Sequence, residues 1–277
     1  MTNRWFKIIV VFAILGSVGI PSFSSRIWAQ DDESETPTAE DVYIAVNQML
    51  IAQEVRPLGR NELLDEIAQQ IADELSETGT FITVPRVAAD EVGYPRWPDN
   101  SQRVINQAIN YIGLGTPEEF AAIWEEELPD ILQLTYYREI GVGVSTYQAV
   151  RGGNIQNVYV LVLGAQPNVL PVIINDGSKT VYERDVELYI HNELSLAYET
   201  EPDVIQQAVT IRIANSEEEL EDAPALDWQE NNFAVAWQLT EEYGPKTVWV
   251  EFEDEKGFTV RSVAEVEYAD PSTAPSE

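Results

Sequence analysis

The chain contains no cysteine and a single histidine, His191. The first absence removes disulfides, thiol nucleophiles and thiolate metal ligands. The second rules out any two-histidine site within one chain, and with it an imidazole pair for zinc. Cations are scarce as well: 16 Lys and Arg stand against 48 Asp and Glu, a formal charge of −32 over 277 residues. Such a field disfavours nucleic acids and anionic membranes as partners. It suits a protein kept dispersed outside the cell. Long apolar runs are missing except near the start. There Arg4 and Lys7 precede the stretch from Ile8 to Ile20, and Ile27-Trp28-Ala29 offers a small-residue cleavage point. Residues 1–29 therefore read as a secretory signal peptide, cleaved after Ala29, rather than as a retained anchor. Gly16, Gly19 and Pro21 break the run, so no stable membrane insertion is expected after cleavage.

An apolar fraction of 44% and seven Trp are enough for packed cores, and the length suits two domains. Residues 30–40 form an acidic leader without apolar periodicity. From Asp41 the spacing turns helical, with Val42, Val46, Met49 and Leu50 on one face. A second helix follows Asn61, with Leu64, Ile67, Ile71 and Leu75 in phase and Gly79 as its stop. Thr80 to Asp99, with Pro85, Pro95 and Pro98, reads as irregular. Val104, Ile105, Ala108, Ile109 and Ile112 predict a third helix. Thr116-Pro117-Glu118-Glu119 is a capping box with proline at the first helical position, and it opens a fourth helix carrying Phe120, Ile123, Trp124 and Leu128.

Two strands come next. In the first, Ile140, Val142 and Val144 alternate with Glu139, Gly141 and Gly143. The glycines strip one face of side chains, which suits close approach by another backbone or helix. The second, Val158 to Leu163, is an unbroken run of strand formers, as expected where both faces are covered. Gly152-Gly153-Asn154 supplies turn chemistry between them.

These residues resemble the CAP superfamily, the SCP-like group of cysteine-rich secretory, antigen 5 and pathogenesis-related proteins. The likeness rests on Tyr137-Arg138-Glu139-Ile140-Gly141-Val142-Gly143-Val144, on a paired strand ending Leu163-Gly164, and on the preceding helices. Ala68-Gln69-Gln70-Ile71 stands where the family often has Ala-Gln-x-His, and Val92-Gly93-Tyr94 resembles its Ala-Gly-Tyr. The resemblance implies an α/β/α sandwich over residues 41–166. Many members line a cleft with two histidines and two acidic residues that in some binds a divalent metal. Here the matching positions hold Ile71, Arg103 and Leu128. The resemblance thus implies no metal, no cofactor and no catalytic residue; Ile71, Tyr94, Arg103, Trp124 and Leu128 are either ordinary core residues or the walls of a remodelled binding cleft.

Residues 167–171 are a short connector, and 167–269 read as all-β. Val169 to Ile174, then Val186, Leu188 and Ile190, then Val209, Ile211 and Ile213, then Phe233, Val235 and Trp237 give short strands. Val248, Val250 and Phe252 pair with Phe258, Val260 and Ser262 across the turn Asp254 to Gly257. Strands of this number and spacing predict an immunoglobulin- or fibronectin-like sandwich. Residues 270–277 read as a disordered tail. The expected fold class is thus α+β, a CAP-like sandwich followed by an Ig-like one.

Other clusters have plainer explanations. Glu125-Glu126-Glu127 with Asp130 is a solvated face, because consecutive helical residues point apart. Glu217 to Asp222 is a solvated loop, and His191 is a surface strand residue without a nucleophile beside it. Asn175-Asp176 and Glu253-Asp254-Glu255 are turns rather than calcium loops, since neither has the required spacing. The sequence therefore predicts a secreted, non-catalytic binding or scaffold protein whose partner is an unidentified macromolecule. The alternatives are a carrier of a small apolar ligand such as a lipid, and a hydrolase with a rebuilt carboxylate site.

Overall fold

The computed structural model describes residues 36–104, 109–125, 137–148, 153–192, 203–228 and 234–274. The expected signal peptide, most of the leader, Leu128 and Phe233 lie outside the described residues. The fold is mixed: an α/β segment comes first and a largely β region follows.

Helix α1 (Ala39–Ala52) starts at a reciprocal capping box between Thr38 and Asp41. After β1 (Gly59–Arg60), Asn61 caps α2 (Glu62–Thr78) by accepting from the amides of Leu63 and Leu64, and left-handed Gly79 ends it. Helix α3 (Pro85–Glu91) occupies a stretch that reads as irregular. Its proline sits in the first turn, where an amide hydrogen has no helical partner to lose. Among its described residues the predicted third helix is not found. Its described residues belong to β2 (Arg103–Val104) and β3 (Ile109–Gly113). Ile109 and Tyr111 pack on one side and Ile112 on the other. A short apolar run covered on both faces has no periodicity that separates strand from helix, and pairing with a neighbour strand decides it. Helix α4 (Pro117–Ile123) carries the predicted capping box of Thr116 and Glu119.

Strands β4 (Glu139–Tyr147) and β5 (Gln156–Ala165) run antiparallel, with Glu139 opposite Gly164. β1 lies parallel to β4, while β2 and β3 share the far edge of β5. Helices cover both faces. α1 and α4 meet Ile140, Val142, Tyr159 and Leu161; α2 and α3 meet Val158, Val160 and Val162. The glycine face of β4 lies directly under α2. A Cβ on Gly141 would stand 2.0 Å from the Leu64 carbonyl carbon, and one on Gly143 would stand 2.2 Å from the Ala68 oxygen. That approach lets α2 side chains close the strand's edge beyond the two-residue β1. Asp65 accepts from the Val142 amide at 2.7 Å, and Gln69 accepts from the Val144 amide at 3.1 Å and donates to the Val144 carbonyl at 3.0 Å. Four helical residues advance about 6 Å and two strand residues about 6.8 Å, so the spacings match.

The β region forms two sheets. One holds β10 (Leu226–Asp227), β9 (Ala208–Ala214), β12 (Gly244–Asp254), β13 (Thr259–Tyr268) and β7 (Thr180–Val181), in that order. The other holds β11 (Val235–Gln238), β8 (Asp185–Ile190) and β6 (Val172–Ile174). One core joins them, with Leu188, Ile190, Ile205, Val248, Val250 and Phe252 fully or nearly fully buried. Glu217–Asp222, read as a loop, is a short helix, α5, because Ser216 caps it and Leu220 anchors it in the interior. Asp270 caps one 3-10 turn, Pro271–Thr273, within the stretch read as a tail.

Candidate binding groove between the two units

The α/β and β units meet through polar groups. Asn47 on α1 is fully buried; it accepts from the Leu58 amide at 2.9 Å and donates to the carbonyls of Leu58 and Asp176, at 3.2 and 3.0 Å. Arg138, 3% exposed, donates to the carbonyls of Val169, at 2.5 Å, and Gln166. Lys179 pairs with Glu40 at 3.2 Å. His191 is not a free surface residue. Its Nε2 lies 2.6 Å from the Pro57 carbonyl, which fixes the tautomer with hydrogen on Nε2. Loss of solvent there pushes its pKa down to about 4.

Beside this junction lies a groove of about 430 Å³. One wall is Tyr43 of α1 with Gly59 and Arg60 of β1; a second is the connector and β6, Asn168 to Ile174; the third is β13 from Arg261 to Glu265. Each side chain has a local reason for its position. Tyr43 donates to the Leu58 carbonyl at 3.0 Å, and burial raises its pKa to about 12. Arg60 is clamped by Glu40 at 2.5 Å and Asp65 at 2.9 Å. Arg261 is held by Glu251 at 2.8 Å and Glu217 at 3.2 Å. Glu139, 3% exposed, accepts from Asn61 Nδ2 and the Tyr94 hydroxyl at 2.7 Å, and from the Gln166 amide and Nε2 at 2.8 and 2.9 Å. Four donors stabilise that carboxylate where water is excluded. Burial and the facing carboxylate drive the Tyr94 pKa upward.

The residues expected to wall a remodelled cleft are dispersed. Ile71, fully buried, and Tyr94, 2% exposed, lie in the core between α2, α3 and β5. Arg103 stacks on Trp97 at 3.5 Å, while its strand neighbour Val104 packs with Tyr94. Trp124 ends α4 on the opposite face, edge-on to Phe120 at 6.3 Å. Leu128 lies outside the described residues. Ile71 and Tyr94 thus come together, Arg103 packs on Trp97, and Trp124 does not join them.

Among the described residues no group of three or more His, Cys, Asp or Glu side chains could hold a metal ion. Asp254 instead accepts from the amides of Lys256 and Phe258 at 2.9 Å and Gln206 at 3.1 Å, as a turn residue does. Asp176 likewise accepts from Ser178. Among the described residues no helix is long and apolar enough to cross a membrane. No protein-family model matches the chain, and no curated protein matches it. The groove was not legible locally, since its walls come from residues 43–60, 168–178 and 261–265. Only the short connector hinted that the units would meet.

Proposed function

We infer that the protein is an exported, non-catalytic binding protein, a CAP-like α/β/α sandwich joined to an immunoglobulin-like sandwich, acting at the cell envelope or outside it. One observation carries this reading: the groove between the two units offers recognition groups and no activated nucleophile. Its cations are neutralised by carboxylates, its buried Glu139 is saturated with donors, and its Ser178 amide and hydroxyl both donate to the Asp176 carboxylate two residues earlier, as turn contacts. The leading segment through Ala29 supports export, and the acidic surface supports a protein working free of nucleic acid.

A lipid carrier draws no support from Ile71 and Tyr94, because both are core side chains. A rebuilt carboxylate hydrolase draws none from Glu125, which accepts from Gln53 at the surface. The test is a thermal-shift titration of residues 30–277 with zinc, calcium and a fatty-acid panel. A ligand that binds the folded state raises the melting temperature. No shift is expected; a shift with micromolar zinc or with a fatty acid contradicts the reading.

A further inference from the structure

We propose that the open edge of β13 in this groove binds an extended peptide segment of a partner by strand addition, with an apolar side chain entering the groove beside a basic one outside it. The inference rests on the binding reading above and names the partner's chemistry.

The orientation of the edge follows from two independent pairings. In the hairpin, the Asp254 amide donates to the Phe258 carbonyl at 3.1 Å, and the register from Gly244–Tyr268 to Glu253–Thr259 runs without interruption. Even-numbered residues of β13 therefore direct their backbone groups to β12, and odd-numbered ones direct theirs away. At the other end, the amides of Glu267 and Ala269 donate to the carbonyls of Lys179 and Val181, at 2.8 and 2.9 Å. That confirms the parity and shows β7 closing the edge only at Glu267 and Tyr268. Arg261, Val263 and Glu265 thus turn their amides and carbonyls toward the groove, and among the described residues no strand pairs with them. An edge of this kind is a template for another chain.

The space fits one strand. At about 3.4 Å rise, 4.8 Å between strands and 10 Å between layers, a strand residue occupies about 160 Å³. The groove therefore holds about three residues of a segment pairing along the five positions from Arg261 to Glu265. Its inner side has room for a side chain, because the two residues β13 points inward there, Ser262 and Ala264, are small and line the groove together with Val172 and Ile174 of β6. The outer side chains set the charge. Arg261 is already held by two carboxylates, whereas Glu265 is exposed and pairs with no cation among the described residues. A peptide residue opposite Glu265 is therefore basic, and its neighbour opposite Ala264 is apolar. The chain's excess of acid favours the same sign.

The probe is the peptide acetyl-Lys-Val-Thr-Val-Thr-amide, titrated into the isotope-labelled protein and followed at each amide by NMR. The expected result is perturbation and slowed exchange of the Arg261, Val263 and Glu265 amides. Methylating the central threonine nitrogen removes one strand-pairing donor and abolishes the effect. Replacing the lysine by glutamate, or making the exposed change Glu265→Lys, weakens binding by about fivefold or more. Unperturbed edge amides at millimolar peptide overturn the proposal, as does equal binding of the methylated peptide. So do edge amides that lose protection when the free protein is diluted, which would assign the edge to a second copy of this chain. Mass analysis of the recovered peptide separates the two readings: cleavage would contradict the non-catalytic function, and intact peptide without edge perturbation contradicts only strand addition.

Discussion

Glu139 and His191 show how much of the junction rests on single polar groups. Glu139 lies on the glycine face of β4, is 3% exposed and accepts four hydrogen bonds. Replacing it by glutamine removes the charge and turns half the acceptor into a donor facing donors. Glu139→Gln should cost about 2 kcal/mol, read as a lower urea midpoint at unchanged slope. His191 gives a pH signature. Its folded pKa, about 4, lies below the ordinary 6.5. Between those values the unfolded chain takes up a proton that the native protein does not, so stability rises with pH across the window. The contribution is full above about pH 6.5 and lost as pH falls through about 4. Wild type should therefore lose stability relative to His191→Gln on acidification from pH 7 toward 4, measured by urea unfolding at each pH. Neither role shows in the sequence, because partners such as Gln166 and Pro57 are remote from these residues along the chain.

At the scale of elements, β4 was the most legible part of the fold. Gly141 and Gly143 predict a face without side chains, and α2 lies on it. A methyl group at Gly141 meets backbone rather than a flexible side chain, so α2 must move and its clip on the Val142 amide must loosen. Gly141→Ala should cost about 3 kcal/mol or more, seen as a fall in the denaturant midpoint. The central strands β5, β8, β9 and β12 and the turn after Asp254 were also readable, since alternation and turn chemistry are local. β3 was not. Ile109 and Ile112 fit helical spacing, and only the pairing of β3 with β5 makes them a strand. Helix α3 was missed for a related reason, because Pro85 signals a break in sequence and an N-terminus in structure.

For the whole molecule, the question is whether two units behave as one. Half-buried hydrogen bonds of Asn47, Arg138 and His191 tie them. Calorimetry should show one transition. Asn47→Ala leaves the Leu58 amide and two carbonyls without this partner, costs about 2–3 kcal/mol, and should split the transition in two. The composition could not have shown this coupling. It announced two domains and a short connector, but Asn47 and His191 reach carbonyls about 130 positions away along the chain.

Binding in the groove requires an open β13 edge, and residue-resolved amide exchange on the free protein measures that directly. Fast exchange is expected at Arg261, Val263 and Glu265, beside slow exchange at Ser262 and Ala264, which face β12, and at Glu267, which donates to Lys179. Slow exchange along the whole of β13 would mean that another segment already closes the edge, and would contradict the groove as a binding site.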